Sequence, residues 1–354
     1  MKIVNKSDRI SLAHGSGGVE TYELIAKLIL SRVPDNFKKI LNGVGIDILD
    51  DGASVPLPNG QHIVISIDAY TVNPPFFPGG DIGALAACGS INDVLMMGGK
   101  PIAMLDSIVV EEGFPVEDLE KIIESFTKIL ISEGIALIGG DFKVMPRGQI
   151  DGIVITSTAI GIADKLIVDR PHPGDKIVVS DFVGDHGAVI MLLQMGLKDK
   201  VEEIGKGLLR SDVKPLTKLM LPLIQKYGEY IHAARDPTRG GLAGVLNEWA
   251  SKTGLVIVID ESLTPIRVNV RRYSEMLGID PLYLASEGVA VLAIDPSLAG
   301  MIVEFMKSIG YENTRVIGEV KQSEKFKGVV VARTSVGGYR IVDPPRGELV
   351  PRIC

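Results

Sequence analysis

The chain ends in a thiol, Cys354, which follows Arg346-Gly-Glu-Leu-Val-Pro-Arg-Ile. Chain ends are usually the most mobile part of a protein, and a few per cent of free Cys is already thiolate near neutral pH. Pro344, Pro345, Gly347 and Pro351 oppose helix, so we expect an extended, detachable tail. One interpretation is a carrier arm that holds a small group on sulfur; from the tail alone, a frayed end that happens to finish in Cys is the simpler interpretation.

Carboxylates beside glycine turns form a second chemical pattern. Oxygen ligands of this kind suit Mg²⁺, and neighbouring glycines let backbone N–H groups approach phosphate. Any one of these acids is more simply a turn residue or a helix N-cap. Together, at the ends of predicted buried segments, they indicate a magnesium and phosphate site. They are Asp51, Asp68, Asp93 and Asp141 in the first half of the chain, and Asp236 in the second half.

Three glycine-containing loops precede predicted helices. The first is His14, Gly15, Ser16, Gly17 and Gly18; it matches neither a Walker A loop nor a dinucleotide-binding fingerprint, and a phosphate cover and a plain turn explain it equally well. The others are Gly184-Asp-His-Gly187, which contains Asp185 and His186, and Asp236-Pro-Thr-Arg-Gly-Gly241. Helix N-termini favour anions, with simple capping as the alternative.

Two further residues are candidates for proton transfer and charge stabilisation. Glu287 lies in Ala285-Ser-Glu-Gly288, just before a predicted buried strand; it is either a turn residue or a general base. Lys143 follows Asp141 by two residues, and surface exposure is the default for lysine.

The elements that must position these residues alternate along the chain. Short Val/Ile runs such as Ile63–Ile67 and Ile153–Thr156 predict buried strands. The segment Val116–Glu133 carries apolar residues at helical spacing and is closed by Gly134. A length of 354 residues with 40 glycines predicts two α/β domains. We predict an N-terminal arm with the glycine-rich loop at 1–39, a first domain at 40–168, a second α/β domain at 169–335 and the tail at 336–354.

Composition argues against several classes of protein. The net charge of −7, with scattered Lys and Arg, is not that of a nucleic-acid-binding protein. No apolar run reaches membrane-span length, and the charged N-terminus lacks the apolar core of a signal peptide. The two cysteines, Cys88 and Cys354, exclude a disulfide framework and predict a cytoplasmic, reducing location.

Taken in order, the motifs closely resemble the HypE family of hydrogenase maturation proteins, from about residue 10 to residue 354. These proteins are carbamoyl dehydratases of the aminoimidazole ribonucleotide synthetase superfamily. The terminal Pro-Arg-Ile-Cys is the most specific part of the resemblance, and Phe142 departs from it, because Thr is expected there. The motifs are His14-Gly-Ser-Gly-Gly, Pro75-Phe-Phe-Pro-Gly-Gly-Asp-Ile-Gly, Asn92-Asp, Gly140-Asp-Phe-Lys-Val, Gly184-Asp-His-Gly, Asp236-Pro-Thr-Arg-Gly-Gly, Ser286-Glu-Gly and Pro351-Arg-Ile-Cys.

The resemblance implies a ferredoxin-like N-terminal domain, an α/β C-terminal domain and a homodimer built by pairing the N-terminal sheets. It also implies ATP and Mg²⁺ as cofactors. A carbamoyltransferase partner would load the terminal thiol, this chain would dehydrate the carbamoyl group to thiocyanate, and an iron-binding scaffold complex would receive the cyanide for NiFe hydrogenase.

Roles follow from the resemblance for the candidate residues. Cys354 would be the acceptor, Glu287 the base, and Lys143 would stabilise developing charge. Asp51, Asp93, Asp141 and Asp236 would bind metal, while ATP would lie against Asp68, Gly140, Asp185, His186 and the loop of residues 14–18. Two alternatives remain open. A selenophosphate synthetase-like enzyme needs a reactive Cys near its N-terminus, and none precedes Cys88. A non-enzymatic adaptor would use the tail as a peptide ligand.

Overall fold

The first half of the protein is a five-stranded sheet covered on one face by helices. In the computed structural model, which describes residues 9–197 and 209–347, the strand order is β1-β2-β7-β5-β6. All neighbouring strands are antiparallel except β5 and β6. A short hairpin, β3 with β4, precedes the first covering helix. The strands are β1 Ala53–Pro56, β2 His62–Tyr70, β3 Phe76–Phe77, β4 Gly80–Asp81, β5 Lys100–Glu111, β6 Ala136–Met145 and β7 Ile153–Ala163.

The helices of this half are α1 Val19–Ile25, α2 Ile82–Met96 and α3 Val116–Glu133. Every residue of α2 is buried between the sheet and its neighbours, and Asp81 caps it by accepting from the Ala84 N–H at 2.9 Å. Helix α3 has the predicted bounds and ends at Gly134, whose φ of 69° is a left-handed cap. Helix α1 is short because it gives way to a π-helical turn over Ala26–Leu30.

The second half is a seven-stranded mixed sheet in the order β14-β13-β10-β12-β8-β11-β9. Its strands are β8 Lys176–Val179, β9 Ile231–Arg235, β10 Val256–Asp260, β11 Val291–Ile294, β12 Arg315–Lys321, β13 Val329–Arg333 and β14 Tyr339–Val342. Its helices are α4 Asp185–Gln194, α5 Thr217–Tyr227, α6 Gly241–Thr253, α7 Val268–Leu277 and α8 Ala299–Ser308. Trp249 on α6 is fully buried against this sheet.

The structure differs from the sequence prediction at the start of the tail. Residues 339–342, inside the predicted tail at 336–354, form β14 and pair antiparallel with β13. Val342 is buried, which explains why this part stays on the sheet. The other predicted domain boundaries, 1–39, 40–168 and 169–335, stay predictions. Among the described residues, no helix has both the length and the apolar character needed to cross a bilayer.

Candidate active site

Three predicted metal ligands meet where the two halves touch. Asp51 precedes β1, Asp93 lies in α2 and Asp236 follows β9, and one carboxylate oxygen of each lies within 4.8 Å of the others. Asp93 therefore lies within helix α2 and not at the end of a buried segment. Asp93 and Asp236 are buried, and Asp51 is half-buried. The sequence identified these three acids, and the fold brings them together.

The cluster fits a hard divalent cation. Among the described residues, Asp51 Oδ2 and Asp236 Oδ2 are buried oxygens with no hydrogen-bond partner. Burial raises the pKa of all three carboxyl groups, and their mutual repulsion raises it further. A Mg²⁺ ion would supply positive charge and would be coordinated by these unpaired carboxylate oxygens. Ser66 Oγ donates to Asp93 Oδ2 at 2.5 Å and fixes its orientation.

Arg235 holds the outer side of this cluster and was missed by the sequence analysis. Its guanidinium lies 3.0 Å from Asp51 Oδ1 and 2.7 Å from Asp169 Oδ2. It also donates to the Leu49 carbonyl oxygen at 2.9 Å. Burial, and then repulsion from Asp169, raises the pKa of the adjacent Asp50 to about 6. The buried guanidinium of Arg235 therefore orients Asp51 through one carboxylate oxygen. The second carboxylate oxygen of Asp51 faces the cluster.

Glu287 shares the electrostatic environment of the cluster. It is 2% exposed, and its pKa is raised by burial first and then by Asp236 and Asp212. Its N–H donates to Asp212 Oδ1 at 3.1 Å, and its carbonyl oxygen accepts from Asn92 Nδ2 at 3.2 Å. At Gly288 a Cβ would lie 2.0 Å from the Asp212 carbonyl oxygen, so this close approach requires glycine. Contacts of the backbone N–H and carbonyl thus hold Glu287 in place, and its raised pKa makes the carboxylate a stronger base.

The Gly-Asp-His-Gly loop lies on the other side of Asp212. His186 is fully buried, with Nδ1 2.8 Å from Ser211 Oγ, and burial lowers its pKa to about 3, so the ring is neutral. The His186 and Phe77 rings make an edge-to-face contact, with their centroids 5.3 Å apart. Asp185 accepts from Arg267 Nε at 2.6 Å, and burial raises its pKa to about 6. The side chains of Asp185 and His186 therefore have packing roles within the protein, and their contact with nucleotide stays a prediction.

The N-terminal glycine loop packs between the Asp236–Gly241 loop and the tail. Gly17 has a φ of 79°, and a Cβ there would lie 2.6 Å from Arg239 Cβ. At Gly18 a Cβ would lie 2.6 Å from the Pro345 carbonyl oxygen. Arg239 Nη2 lies 3.1 Å from Asp68 Oδ1. Close approach therefore explains two of the glycines, and Asp68 is linked by Arg239 to the loop that carries Asp236. His14 Nδ1 lies 2.8 Å from Ser11 Oγ.

The tail is tethered beside this site as far as Gly347. The Val342 carbonyl accepts from Asn247 Nδ2 at 3.1 Å, and the Asp343 carbonyl accepts from Tyr283 at 2.7 Å. Pro345 then accepts from the Val19 N–H at 3.0 Å, and the Gly347 N–H donates to Glu20 Oε2 at 3.0 Å. Cys354 lies outside the described residues. The tail is thus fixed against the first helix, seven residues before the thiol.

Three predicted residues lie elsewhere, on edge strand β6. Asp141 is exposed and pairs with Lys143 at 2.7 Å, which lowers its pKa, so the described structure does not bring it into the cluster. At Gly140 a Cβ would lie 1.7 Å from Asp106 Oδ1, which is a packing reason for glycine. Phe142, the residue that departs from the family pattern, is 52% exposed. The expected glycine turn is instead a strand, Ala136–Met145.

Comparisons with known proteins decide the family. Residues 49–163 match the N-terminal domain model of AIR synthase related proteins, and residues 172–331 match the C-terminal domain model. The carbamoyl dehydratase HypE of Cupriavidus necator is 38% identical over 354 residues, covering 99% of this chain and 96% of that protein. The chain belongs to the HypE family. The resemblance inferred from the motifs is therefore confirmed.

Solved HypE structures extend the match to the whole fold. A HypE in complex with ATP superposes with a TM-score of 0.77 at 35% identity, covering 98% of this chain and all of that one. A HypE–HypF complex gives a TM-score of 0.80 at 37% identity, covering 93% of this chain and all of that one. The predicted two-domain fold class is confirmed, and the HypE relatives favour a carbamoyl dehydratase over the two alternatives.

The buried acid Asp212 predicts an unusual pH dependence of stability. Burial, and then Asp185, raises its pKa from 3.8 to about 7. Because the folded-state pKa is raised, the stabilisation is complete below pH 4 and is lost as pH rises through 7. Relative to Asp212→Asn, the parent should lose up to about 1.4 kcal/mol per pH unit in this window. Thermal melts of both proteins at pH 5 and pH 8 measure the difference.

Asp260→Asn is the matched control. Hydrogen bonds from Ser262 lower the pKa of Asp260, so it does not titrate between pH 5 and 8, and its melting difference from the parent should be constant. If Asp212→Asn also shows a constant difference, the raised pKa of Asp212 is wrong.

Proposed function

We propose that this chain dehydrates the S-carbamoyl group on its own Cys354 to a thiocyanate, using ATP, in the maturation of NiFe hydrogenases. Membership of the HypE family supports the reaction class. The observation that carries the proposal is the position of the tail: Pro345 packs on Gly18 and Gly240, in the loop that also carries Asp236. The last described residues before the acceptor thiol therefore lie against the loop that carries Asp236.

The chemistry requires two activations. The carbamoyl oxygen is a poor leaving group, so it must first receive the γ-phosphoryl group of ATP. The two N–H protons are then lost as phosphate leaves, and S–C(=O)–NH₂ plus ATP becomes S–C≡N plus ADP and phosphate. Mg²⁺ held by Asp51, Asp93 and Asp236, when bound, would neutralise charge on the phosphates. A buried site would keep water from the phosphorylated intermediate.

Glu287 suits the role of general base. A catalytic pKa is most effective near the working pH, and burial with neighbouring acids moves the pKa of Glu287 upward in that direction. Its backbone contacts with Asp212 and Asn92 hold it in place. Asp68, Asp185, His186, Gly140 and the loop of residues 14–18 stay candidates for contacts with ATP.

Two partners complete the proposed pathway. A carbamoyltransferase would load the thiol, as the solved HypE–HypF complex suggests for a relative. An iron-binding scaffold complex would accept the cyanide. The thiol must stay reduced to be loaded, which places the reaction in a reducing compartment such as the cytoplasm.

Replacing the acceptor tests the proposal directly. Cys354→Ala should fold and bind ATP but gain no carbamoyl mass from the purified carbamoyltransferase partner with its substrates, because the nucleophile is gone. Cys88→Ala is the matched control: Cys88 is fully buried in α2, so its loss should leave loading intact. Intact mass spectrometry reads both. Carbamoylation of Cys354→Ala at another residue would sink the carrier assignment.

A second experiment separates loading from dehydration. Glu287→Gln and Lys143→Ala should accept the carbamoyl group normally, because loading needs only the tail. Dehydration should slow by about 10²–10⁴-fold in Glu287→Gln, as expected for loss of a general base. Mass spectrometry after ATP addition should then find carbamoyl-Cys354 without loss of water. Thiocyanate formation at the parent rate in both variants would refute these roles.

The outer face of the first sheet supports a homodimer. Side chains there are partly or fully exposed although they are apolar, and a contiguous apolar surface marks an interface. Edge strand β6 is also apolar: Ile138, Phe142 and Val144 are each more than half exposed. Phe142 and Val144 pair with the buried Ile108 and Val110 and therefore belong to the opposite face of the sheet. We propose that two copies pair along these strands. The outer-face residues, from their cross-strand pairing, are Ile63, Ile65, Ile67, Ile160 and Ile162.

Sheet geometry also says which copy Lys143 serves. Lys143 pairs with Val109, which pairs with Val154, whereas Asp68 pairs with Ser157. Val154 and Ser157 are three residues apart on β7, so they point to opposite faces. Lys143 therefore lies on the outer face of the sheet, on the side opposite Asp68 and away from the cluster of Asp51, Asp93 and Asp236 in its own chain. We propose that it acts on the site of a second copy.

Subunit mixing tests this arrangement. When Glu287→Gln and Lys143→Ala chains are exchanged into mixed dimers, half of the dimers are hybrids, and one site in each hybrid has both residues. Thiocyanate formation should recover to about a quarter of the parent rate. Light scattering should report a dimer throughout. A monomeric mass, or no recovery in hybrids shown to form by mass spectrometry, would contradict the proposal.

A further inference from the structure

A second polar cluster lies outside the proposed active site, on the segment that joins the two halves. His172 and Asp175 belong to the connection 169–175, and His232 lies on β9, at the edge of the seven-stranded sheet. One ligand atom from each of the three lies within 4.8 Å of the others. The proposed dehydration reaction does not involve these three residues.

The distances fit a shared metal ion. His232 Nδ1 lies 2.9 Å and 3.0 Å from the two carboxylate oxygens of Asp175. In a tetrahedral site, ligand atoms at about 2.0–2.2 Å from the metal lie about 3.3–3.6 Å apart, so a small outward shift of this hydrogen-bonded pair admits an ion. The imidazole rings of His172 and His232 have centroids 4.2 Å apart and are tilted by 49°. Their position brings two nitrogen donors to the same carboxylate.

Burial and backbone contacts prepare the three groups. Asp175 is 1% exposed and accepts from the His172 N–H at 2.7 Å, which fixes the carboxylate. The His232 carbonyl accepts from the Arg170 N–H at 3.0 Å, so the connection is bonded to the strand. His172 is exposed, which leaves an entry path and room for water ligands. Among the described residues, no hydrogen bond is made by the His172 ring.

The surroundings add negative charge. Asp295 follows β11, and its pKa is lowered chiefly by hydrogen bonds from Ser297 and also by the two imidazoles. Its carboxylate therefore lies within electrostatic range of both rings. A cation placed between the imidazoles would be attracted by Asp175 and Asp295 together.

We propose that His172, Asp175 and His232 form a binding site for a borderline divalent transition metal, with Zn²⁺ as the representative ion. Two imidazoles and one carboxylate suit Zn²⁺ and its neighbours, whereas Mg²⁺ prefers an all-oxygen site. The ion links the connecting segment to β9, the strand that ends in Arg235, and thus supports the segment that leads into the carboxylate cluster. We assign no catalytic role to this site, because its open side, at the exposed His172, faces solvent and not the carboxylate cluster.

Zinc titration of the untagged full-length chain tests the site. Calorimetry is done with Zn²⁺ in excess Mg²⁺ and with a Cys354→Ser background, so that neither the carboxylate cluster nor the terminal thiol contributes. One Zn²⁺ per chain should bind. His172→Gln should weaken that affinity by about 10- to 100-fold or more, because an exposed ligand is lost without disturbing the core.

His62→Gln is the matched control, because it removes an imidazole from β2 and should bind Zn²⁺ like the parent. A second readout is the visible absorption of bound Co²⁺, which should disappear in His172→Gln only. Failure of the parent to bind Zn²⁺, or unchanged affinity in His172→Gln, would overturn the proposal. Neither result bears on thiocyanate formation, so the proposed function is tested separately.

Discussion

The site depends on one buried cation facing several buried acids. Arg235 is largely desolvated and pairs with Asp51 and Asp169, with Asp50 nearby. Moving carboxylates out of water costs several kcal/mol each, and a single guanidinium offsets only part of it. The raised pKa of Asp51 and Asp50 records the remainder. The protein thus folds with more buried acids around Arg235 than one guanidinium can pair, an arrangement that suits the proposed Mg²⁺. The same arginine joins the connecting segment to the cluster through Asp169.

Neighbours in sequence divide the work of building the site. Asn92 and Asp93 are adjacent on α2: the Asn92 amide bonds the backbone at Glu287 and Leu216 in the other half, while Asp93 enters the cluster. Arg235 and Asp236 repeat this arrangement at the end of β9. In each pair one residue fixes the contact between the halves and the next carries the charge. A shift between the halves would therefore displace Glu287 and Asp236 relative to Asp51 and Asp93.

Sequence reasoning found the acids because their types and the glycines beside them are local signals. It also placed α3, since an amphipathic period and a terminal glycine set both ends. It missed Arg235, Arg239 and Asp212, whose roles come from partners more than 60 residues away in the chain. It expected a turn at Gly139-Gly140, where the structure has an exposed strand. Close contact with the Asp106 carboxylate can favour glycine at Gly140 as well as a turn can.

The tether at Gly347 sets the chemistry of substrate supply. Seven residues follow it, and a fully extended chain of that length reaches about 25 Å. A thiol confined within that radius is present at an effective concentration of roughly tens of millimolar. The loaded sulfur therefore needs only weak affinity for the site to occupy it, since the protein is its own substrate reservoir. Weak affinity would also allow the tail to leave the site, so the same short tether would suit both turnover and the proposed delivery to a partner.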